Sequence, residues 1–241
     1  MLPLDTSVQI FGMGKVHPEH AGLGLGAALL TESERMATAR LPRGVSAPFR
    51  TGAPDTDQGA VDLFMGRGYL HIRSFWIMQR VLPADEIAMG LPHDVTVRLA
   101  TANDEPLAHR LLDEAFLHHF GHEPMTFEDW QHEYHGVPGY DPSLMVLAFA
   151  GDEPAGVSVN MASDDGAGWV GALGVLATFR RRGVASALLA RSFAELAARG
   201  HHEVRLGVDT ENTTGATHLY DGVGMTVRRR FDIYEKPLTG G

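Results

Sequence analysis

In the C-terminal part of the chain, the pattern of apolar and polar residues is typical of a mixed α/β domain. Residues 94–99 alternate between polar and apolar side chains, which is typical of a half-buried strand. Asn103 then caps a segment whose apolar residues recur with helical spacing. A short helix is also predicted over residues 127–134. Gly-Asp and Asp-Asp-Gly turns separate three apolar segments and predict a meander of three strands. These segments are residues 143–150, 153–163 and 166–176.

Four further elements are predicted after the meander. Helical spacing covers residues 183–199 and Gly200 ends it, and a strand is predicted over residues 203–209. A helix around residues 213–222 and a last strand over residues 226–236 complete the order. We therefore predict an α/β fold, a mixed sheet with flanking helices, of ordinary domain size.

An internal repeat relates the two parts of the chain. When residues 16–30 are laid on residues 175–189, Gly24 falls on Gly183 and the apolar residues that follow also match. Two later blocks match in the same order, residues 64–69 on 220–225 and residues 75–82 on 231–238. Chance similarity of apolar helices does not explain three matched blocks in order, so we predict a tandem arrangement.

The repeat predicts two domains of unequal completeness. The first domain, residues 1–82, matches only the later elements of the second copy, from the third strand of the meander onward. We therefore interpret it as incomplete. Residues 83–93 carry a proline near each end and are predicted to be a linker. The complete domain is predicted over residues 94–241.

A glycine-rich stretch in the first copy has two interpretations. Its Gly22-x-Gly24-x-x-Ala27 spacing satisfies the dinucleotide-binding fingerprint. That fingerprint also needs an acidic residue about twenty positions later for the ribose, and residues 35–44 contain none there. We therefore interpret the stretch as a degenerate copy of the later loop at Gly183, and leave open whether its backbone still binds a pyrophosphate.

Composition excludes several classes of function. The 241 residues are 44% hydrophobic, enough for a folded core, and they contain no cysteine, which excludes disulfides, thiolate metal sites and cysteine nucleophiles. A formal net charge of −10 argues against binding nucleic acid, because phosphate neutralisation needs an excess of Lys and Arg. The sequence also shows neither a secretory signal nor a membrane span, so we expect a cytoplasmic protein without membrane association.

Basic residues are concentrated where a predicted strand turns into the helix at Gly183. Arg180, Arg181 and Arg182 precede Gly183, and Ala185 follows within the first helical turn. The free N–H groups and the positive dipole end of such a helix attract an anion, and small residues let it approach. A solvated basic turn is the alternative for an isolated Arg-rich loop.

The second copy resembles the GNAT acetyltransferase superfamily. Arg180-x-x-Gly183-x-Ala185 matches the Arg/Gln-x-x-Gly-x-Gly/Ala loop of that superfamily, which holds the pyrophosphate of coenzyme A, and residues 211–225 match its later Leu-Tyr-x-x-x-Gly signature with Met225 in place of an aromatic residue. The tandem organisation and residues 115–124 also resemble mycothiol synthase and related actinobacterial proteins. The resemblance implies these cofactor-binding residues: Leu173, Gly174, Val175, Arg180, Arg181, Arg182, Gly183, Val184, Ala185, Ser186 and Asn212.

The resemblance also implies an activity and a mechanism. Acetyl-CoA is the expected co-substrate, and an acetyl group passes directly from its thioester to a primary amine of a small molecule or peptide. The main-chain N–H of Val175 is the candidate for stabilising the developing oxyanion, and Tyr220 is the candidate proton donor to the leaving thiolate. The alternative for Tyr220 is a buried aromatic side chain that only packs its helix.

The general base cannot be assigned from the sequence. The third meander strand contains no Asp or Glu, and Glu211, His218 and Asp141 have no spacing that separates them from ordinary surface residues. An amine already deprotonated by solvent would need no base. A non-catalytic coenzyme A sensor or assembly module therefore stays the alternative function.

Several histidines suggest a second kind of site. His118 and His122 lie one helical turn apart, with His132 and His135 further on, but the absence of a defined second ligand pair disfavours zinc, and we predict no metal. In the resembling fold the first helices form the substrate wall. This implies that His118, His119 and Trp130 contact the acceptor.

The first copy is not expected to catalyse. Ala21 stands at the arginine position and Phe64 at the tyrosine position, and a phenyl ring cannot donate a proton. An incomplete domain also leaves a sheet edge and apolar surface uncovered. We expect this surface to pack on the second copy or on a partner chain, for instance in a homodimer, or else the natural chain to start upstream of Met1.

Overall fold

The structure, a computed structural model, describes residues 10–82, 92–117, 122–163, 165–211 and 215–241. These residues form nine β-strands and six α-helices. The mixed α/β prediction is confirmed, since parallel and antiparallel strand pairs occur together. Within the described ranges, no helix is long and apolar enough to cross a membrane.

The elements follow the predicted order closely in the second copy. The strands are β1 (Ile10–Phe11), β2 (Ser46–Pro54), β3 (Leu70–Val81), β4 (Val95–Leu99), β5 (Val146–Ala150), β6 (Glu153–Ala162), β7 (Gly168–Val175), β8 (Glu203–Asp209) and β9 (Thr226–Thr239). The helices are α1 (Leu25–Arg40), α2 (Gln58–Gly66), α3 (Glu105–Phe116), α4 (Phe127–His135), α5 (Val184–Ala198) and α6 (Ala216–Gly222).

The chain forms two compact units. The first contains the described residues of Met1–Trp76, Asp209–Glu211 and Arg229–Gly241, and the second those of Ile77–Val208 and Asn212–Arg228. The predicted division assigned all residues after 94 to the second domain, whereas the structure assigns the last part of β9 to the first unit. The predicted limits of the two domains and of the linker stay a prediction in their other respects.

The second unit has helices on both faces of its sheet. Strands β4, β5, β6 and β7 pair antiparallel in sequence order, as the predicted meander requires, and β7 pairs parallel with β8. Successive side chains of a strand point to opposite faces. Leu147 accordingly packs in a cluster with Leu111 and Trp130 from α3 and α4, while its neighbour Val146 packs with Leu188 from α5.

Helix α5 is held by one of the most buried faces in the chain. Leu188, Leu189, Phe193 and Leu196 of this helix are all fully buried. Burying a Leu or Phe side chain contributes roughly 1.5–3 kcal/mol, so this face holds the start of α5 against the sheet. The phosphate loop predicted before α5 is therefore attached to a rigid element.

The first unit is completed by the last strand of the chain. Strand β1 pairs parallel with β2, and β2 pairs antiparallel with β9 from Ser46↔Thr239 to Pro54↔Phe231. Its core contains Phe49, Phe64 and Tyr69 together with Tyr234 of β9. The sheet edge at β2 that an incomplete domain would leave uncovered is thus paired within the chain.

The last strands of the two repeats contribute to the opposite units. By the repeat, β3 and β9 are equivalent, yet Phe231 to Thr239 of β9 pair with β2 of the first copy. In the second unit, the end of β3 runs beside β8, and the N–H of Leu82 donates to the carbonyl oxygen of His202 at 2.8 Å. This exchange of strands was not predicted, because equivalent apolar strands carry no signal for which sheet they join.

Candidate functional site

Strands β7 and β8 pair over only part of their length. Their parallel register covers Gly168↔Val204 to Val170↔Leu206, and the described pairing stops there although both strands continue. A gap therefore opens beside residues 171–175, on the side of β7 away from β6. Such a gap gives a ligand access to the main chain of β7.

Main-chain groups of β7 face this gap. The N–H of Leu176 donates to the carbonyl oxygen of Ala155 at 3.0 Å, which makes these two residues a hydrogen-bonded pair of the antiparallel ladder. Hydrogen-bonded and non-bonded pairs alternate in such a ladder, so the main-chain polar groups of Val175, opposite Gly156, point away from β6. The same alternation turns the main-chain groups of Leu173 in that direction.

A bulge bends β7 just before these residues. Val159 of β6 lies opposite Ala172 whereas Asn160 lies opposite Val170, so Gly171 is an extra residue on β7. Strand β7 is therefore bulged immediately before Ala172. Downstream of it, Gly174 packs so tightly on α3 that a Cβ there would lie 3.1 Å from Cβ of Ala115.

Helix α5 begins with a left-handed glycine and no side-chain cap. Gly183 has φ 78° and ψ 1°, and no side chain accepts a hydrogen bond from the first turn. The first N–H groups of a helix have no partner within it, so those of Val184, Ala185 and Ser186 remain available to an anion. Pyrophosphate binding by this loop stays a prediction.

Arg180 bonds to the main chain of its own unit. Its Nε donates to the carbonyl oxygen of Val175 and its Nη2 to that of Ala115, each at 3.1 Å. The guanidinium group therefore links the end of β7 to the C-terminal turn of α3. A phosphate contact by Arg180 stays a prediction, and the observed contacts give it a role in positioning β7.

The other two arginines differ from each other. Arg182 pairs with Asp94 and lies over the ring of Phe179, and this pairing lowers the pKa of Asp94. Arg181 has no ion pair or hydrogen bond to any residue in the described ranges, and its φ of 61° is the only left-handed value among their non-glycine residues. Arg181 is thus the arginine of this loop whose charge is available to a ligand.

Tyr220 lies in α6 with its side chain almost wholly buried. Its residue exposure is 8%, and burial raises the pKa of the phenol to about 12. Its hydroxyl group makes no hydrogen bond to another described residue. A neutral phenol without a protein partner suits donation to a developing negative charge.

Comparison with known proteins agrees with this geometry. A model of the Acetyltransferase (GNAT) family matches residues 106–225. A mycothiol acetyltransferase of Thermobispora bispora is 32% identical over 222 residues, which cover 88% of this chain and 70% of that protein. The chain belongs to the GNAT acetyltransferase family. A mycothiol acetyltransferase of Nocardioides is 29% identical over 75% of its length, and one of Streptomyces scabiei is 31% identical over 66% of its length.

Solved structures show the same relationship. A GCN5-related N-acetyltransferase from Sphaerobacter thermophilus is 32% identical, with a TM-score of 0.78 over 97% of this chain and 74% of that one. A tandem GNAT protein from the clavulanic acid biosynthesis pathway is 11% identical, with a TM-score of 0.68 over 94% of this chain and 74% of that one, and shows the fold alone. The expectation of a GNAT fold is confirmed.

The substrate-wall residues are only partly described in this GNAT chain. His118, His119 and the cofactor residue Asn212 lie outside the described residues. Trp130 is 3% exposed and packs against the rings of Phe127 and Tyr134, and its Nε1 has no hydrogen-bond partner among the described residues. Trp130 belongs to the core cluster beside α3, and its contact with the acceptor stays a prediction.

A buried carboxylate that the sequence analysis missed joins α3 to α4. Glu105 is 4% exposed and accepts hydrogen bonds at 2.9 Å each from Gln131, His135 and Tyr140. Burial alone would raise the pKa of Glu105, but the bonds from Gln131, His135 and Tyr140 outweigh it and lower the pKa. The sequence did not indicate that Glu105 is buried, because acidic residues are common at the start of any helix.

A second unpredicted pair involves one of the histidines considered for a metal. Nε2 of His122 lies 3.0 Å from Oδ1 of Asp113, and both side chains are partly buried. His135 instead bonds to Glu105. Within the described residues no group of three or more His, Asp or Glu side chains is arranged to hold a metal ion.

Proposed function

We propose that this chain transfers an acetyl group from acetyl-CoA to a primary amine, with the active site in the second unit. One observation carries the proposal: the polar main-chain groups of Val175 face the gap between β7 and β8, next to the uncapped start of α5. That combination supports the assignment of an oxyanion donor beside an anion site. The family and the names of the relatives support an acetyltransferase.

The described residues fit acetyl-CoA. The N–H groups of residues 184–186 and the side chain of Arg181 would hold the pyrophosphate, and the main chain of Leu173 and Val175 would hold the pantetheine arm. Gly183 takes the left-handed conformation at the helix start, where no side chain caps the first N–H groups, and a side chain on it would meet Pro92. Bound in this way, acetyl-CoA supplies the activated acetyl group.

Two groups of the chain act on the charges of the reaction. The N–H of Val175 stabilises negative charge on the carbonyl oxygen, and the low polarity of a strand gap strengthens that bond. The Tyr220 hydroxyl donates to the leaving sulfur, and its raised pKa keeps it protonated throughout the neutral range. Each contribution of this kind is worth about 10²–10³-fold in rate.

The acceptor is proposed to be a small amine that carries a positive charge in water. A protein with a formal net charge of −10 attracts cations to its surface and repels anions. Relatives are named mycothiol acetyltransferase, so the desacetyl form of mycothiol is the first acceptor to test.

The decisive experiment measures CoA release by chromatography with the full chain and acetyl-CoA. The acceptor panel is desacetyl mycothiol, glucosamine, cysteine methyl ester and benzylamine. We expect amine-dependent release that falls about 10²-fold in Tyr220→Phe while acetyl-CoA affinity is kept. Tyr134→Phe is the matched control, since it removes a hydroxyl from another buried tyrosine, and it should retain the wild-type rate.

Two results would contradict the proposal. Binding of acetyl-CoA without release on any amine of the panel would favour a coenzyme A sensor. Equal loss in Tyr220→Phe and Tyr134→Phe would reduce the role of Tyr220 to packing.

A further inference from the structure

We infer that His122, oriented by Asp113, is the general base that removes a proton from the acceptor amine. The inference rests on the proposed acetyl transfer and assigns the one role that the sequence left without a residue. It follows from a pair of side chains that the fold brings together next to β7.

The hydrogen bond between the two side chains determines which nitrogen is free. Nε2 of His122 lies 3.0 Å from Oδ1 of Asp113, and their side chains are 18% and 28% exposed. A carboxylate only accepts hydrogen bonds, so Nε2 carries a proton, and in the neutral imidazole Nδ1 then has the lone pair. A carboxylate that holds an imidazole in one tautomer is the arrangement of known Asp–His bases.

The pair lies one aromatic ring away from the strand that carries the oxyanion donor. The ring of Phe116 is 6.1 Å from the ring of His122, centre to centre, and its edge lies 3.4 Å from where a Cβ on Gly174 would be. Arg180 fixes this end of α3 to β7 through the carbonyl oxygens of Ala115 and Val175. The His122 imidazole is therefore on the α3 side of β7, with the ring of Phe116 between it and Gly174.

Competing bases are engaged elsewhere or exposed. Strand β7 contains no acidic residue. Asp141 pairs with Arg199 at 2.7 Å, and Glu211 pairs with Arg73 at 2.6 Å. His218 is exposed on α6.

The proton transfer has a simple balance. An ammonium acceptor gives one proton to Nδ1 of His122, directly or through one water molecule, and becomes a neutral amine. Its nitrogen forms the C–N bond as the C–S bond of the thioester breaks, and the leaving sulfur takes its proton from Tyr220. The proton on His122 passes to solvent, and the proton released by the new amide nitrogen restores Tyr220.

The pH dependence of the rate tests the inference. The charged side chain in contact with the imidazole is Asp113; Glu114 and Glu123 adjoin the pair in sequence, and Arg180 bonds to the carbonyl oxygen of Ala115 on the same helix as Asp113. In His122→Gln, we expect kcat/KM at pH 7 to fall about 10²-fold, and the loss to shrink as rising pH deprotonates the amine in solution. Asp113→Asn should lose less, and His132→Gln, on the exposed face of α4, should match the wild type.

A second measurement needs no turnover. The ring ¹⁵N shifts of the full chain, with the His122 signals identified by their absence in His122→Gln, report the tautomer. We expect a protonated Nε2 and a bare Nδ1, and a mixture of tautomers in Asp113→Asn.

The outcomes separate the inference from the proposed function. Wild-type turnover with a pH-independent loss in His122→Gln, or with no loss, would overturn the inference alone, as would a protonated Nδ1. A wild-type chain that acetylates no amine of the panel would overturn the proposed function and the base role together. Urea unfolding of each variant checks that the loss is not a folding defect.

Discussion

Gly24 and Gly183 have the same left-handed backbone conformation at the starts of α1 and α5. Their φ and ψ angles are 79° and 0° for Gly24, and 78° and 1° for Gly183. Neither helix has a side-chain cap at this residue. The shape of the loop is thus retained in the first copy although Ala21 stands where the second copy has Arg180.

Gly183→Ala should weaken acetyl-CoA binding about tenfold and destabilise the chain by about 1–2 kcal/mol. A Cβ there would lie 2.8 Å from Cγ of Pro92, and the left-handed region costs a non-glycine residue about that energy. Calorimetric titration and urea unfolding measure the two effects. Gly200→Ala is the control, since its φ is 89° with open space around it: it should lose stability but keep affinity. Equal affinity of both variants would contradict the anion site.

Arg181→Asn should raise the Kd for acetyl-CoA about tenfold with little change in stability. Asparagine tolerates the left-handed conformation at φ 61° but removes the charge that no described residue neutralises. Arg180→Ala should instead lower the free energy of unfolding by about 1–2 kcal/mol, because two hydrogen bonds to carbonyl oxygens are lost. Titration and urea unfolding of both variants check this contrast, and the reverse pattern would exchange the two roles.

Glu105→Gln should lower the free energy of unfolding by about 2 kcal/mol at pH 7. The folded-state pKa of Glu105 lies below its ordinary value of 4.5, so its stabilisation is present above pH 4.5 and is lost as pH falls through the folded-state pKa. The difference between variant and wild type should therefore shrink in acid, which urea unfolding between pH 3 and pH 7 measures. Glu128→Gln, exposed on α4, should match the wild type at every pH.

The stability of the chain should fall as pH rises from 10 to 12. Burial raises the pKa of both Tyr220 and Tyr134 from 10 to about 12, so their contribution is complete below pH 10 and is lost as pH approaches 12. Each phenol adds a slope of at most about 1.4 kcal/mol per pH unit. In Tyr220→Phe, the free energy of unfolding measured with urea should fall less steeply between pH 10 and pH 12 than in the wild type. An unchanged pH dependence would mean that the Tyr220 phenol is hydrated in the folded chain.

Local patterns predicted the second copy well. The helix starting after Gly183 and the strand Glu203–Asp209 agree with the structure because burial of one face imposes a clear period, and glycines mark where each helix begins or ends. The strand β1 was implied only through the repeat, as the counterpart of the third meander strand, because two residues carry no period; its parallel pairing with β2 was not predicted. The hydrogen bonds of Arg180 to carbonyl oxygens were not predicted, because the spacing of residues in the sequence does not indicate which distant carbonyl group a side chain will contact.

The sequence by itself determined the tandem arrangement, the equivalence of the glycine loops at Gly24 and Gly183, and the family. These depend on residues near each other in the chain, where periodicity and backbone freedom act directly. Only the tertiary structure decided which sheet receives β9, that Glu105 is buried among three donors, and that His122 meets Asp113. Each of these contacts joins side chains or strands that lie on separate elements, and most are far apart in sequence. Such contacts depend on the apolar surface buried and on the hydrogen bonds satisfied in the whole fold, which local patterns do not report.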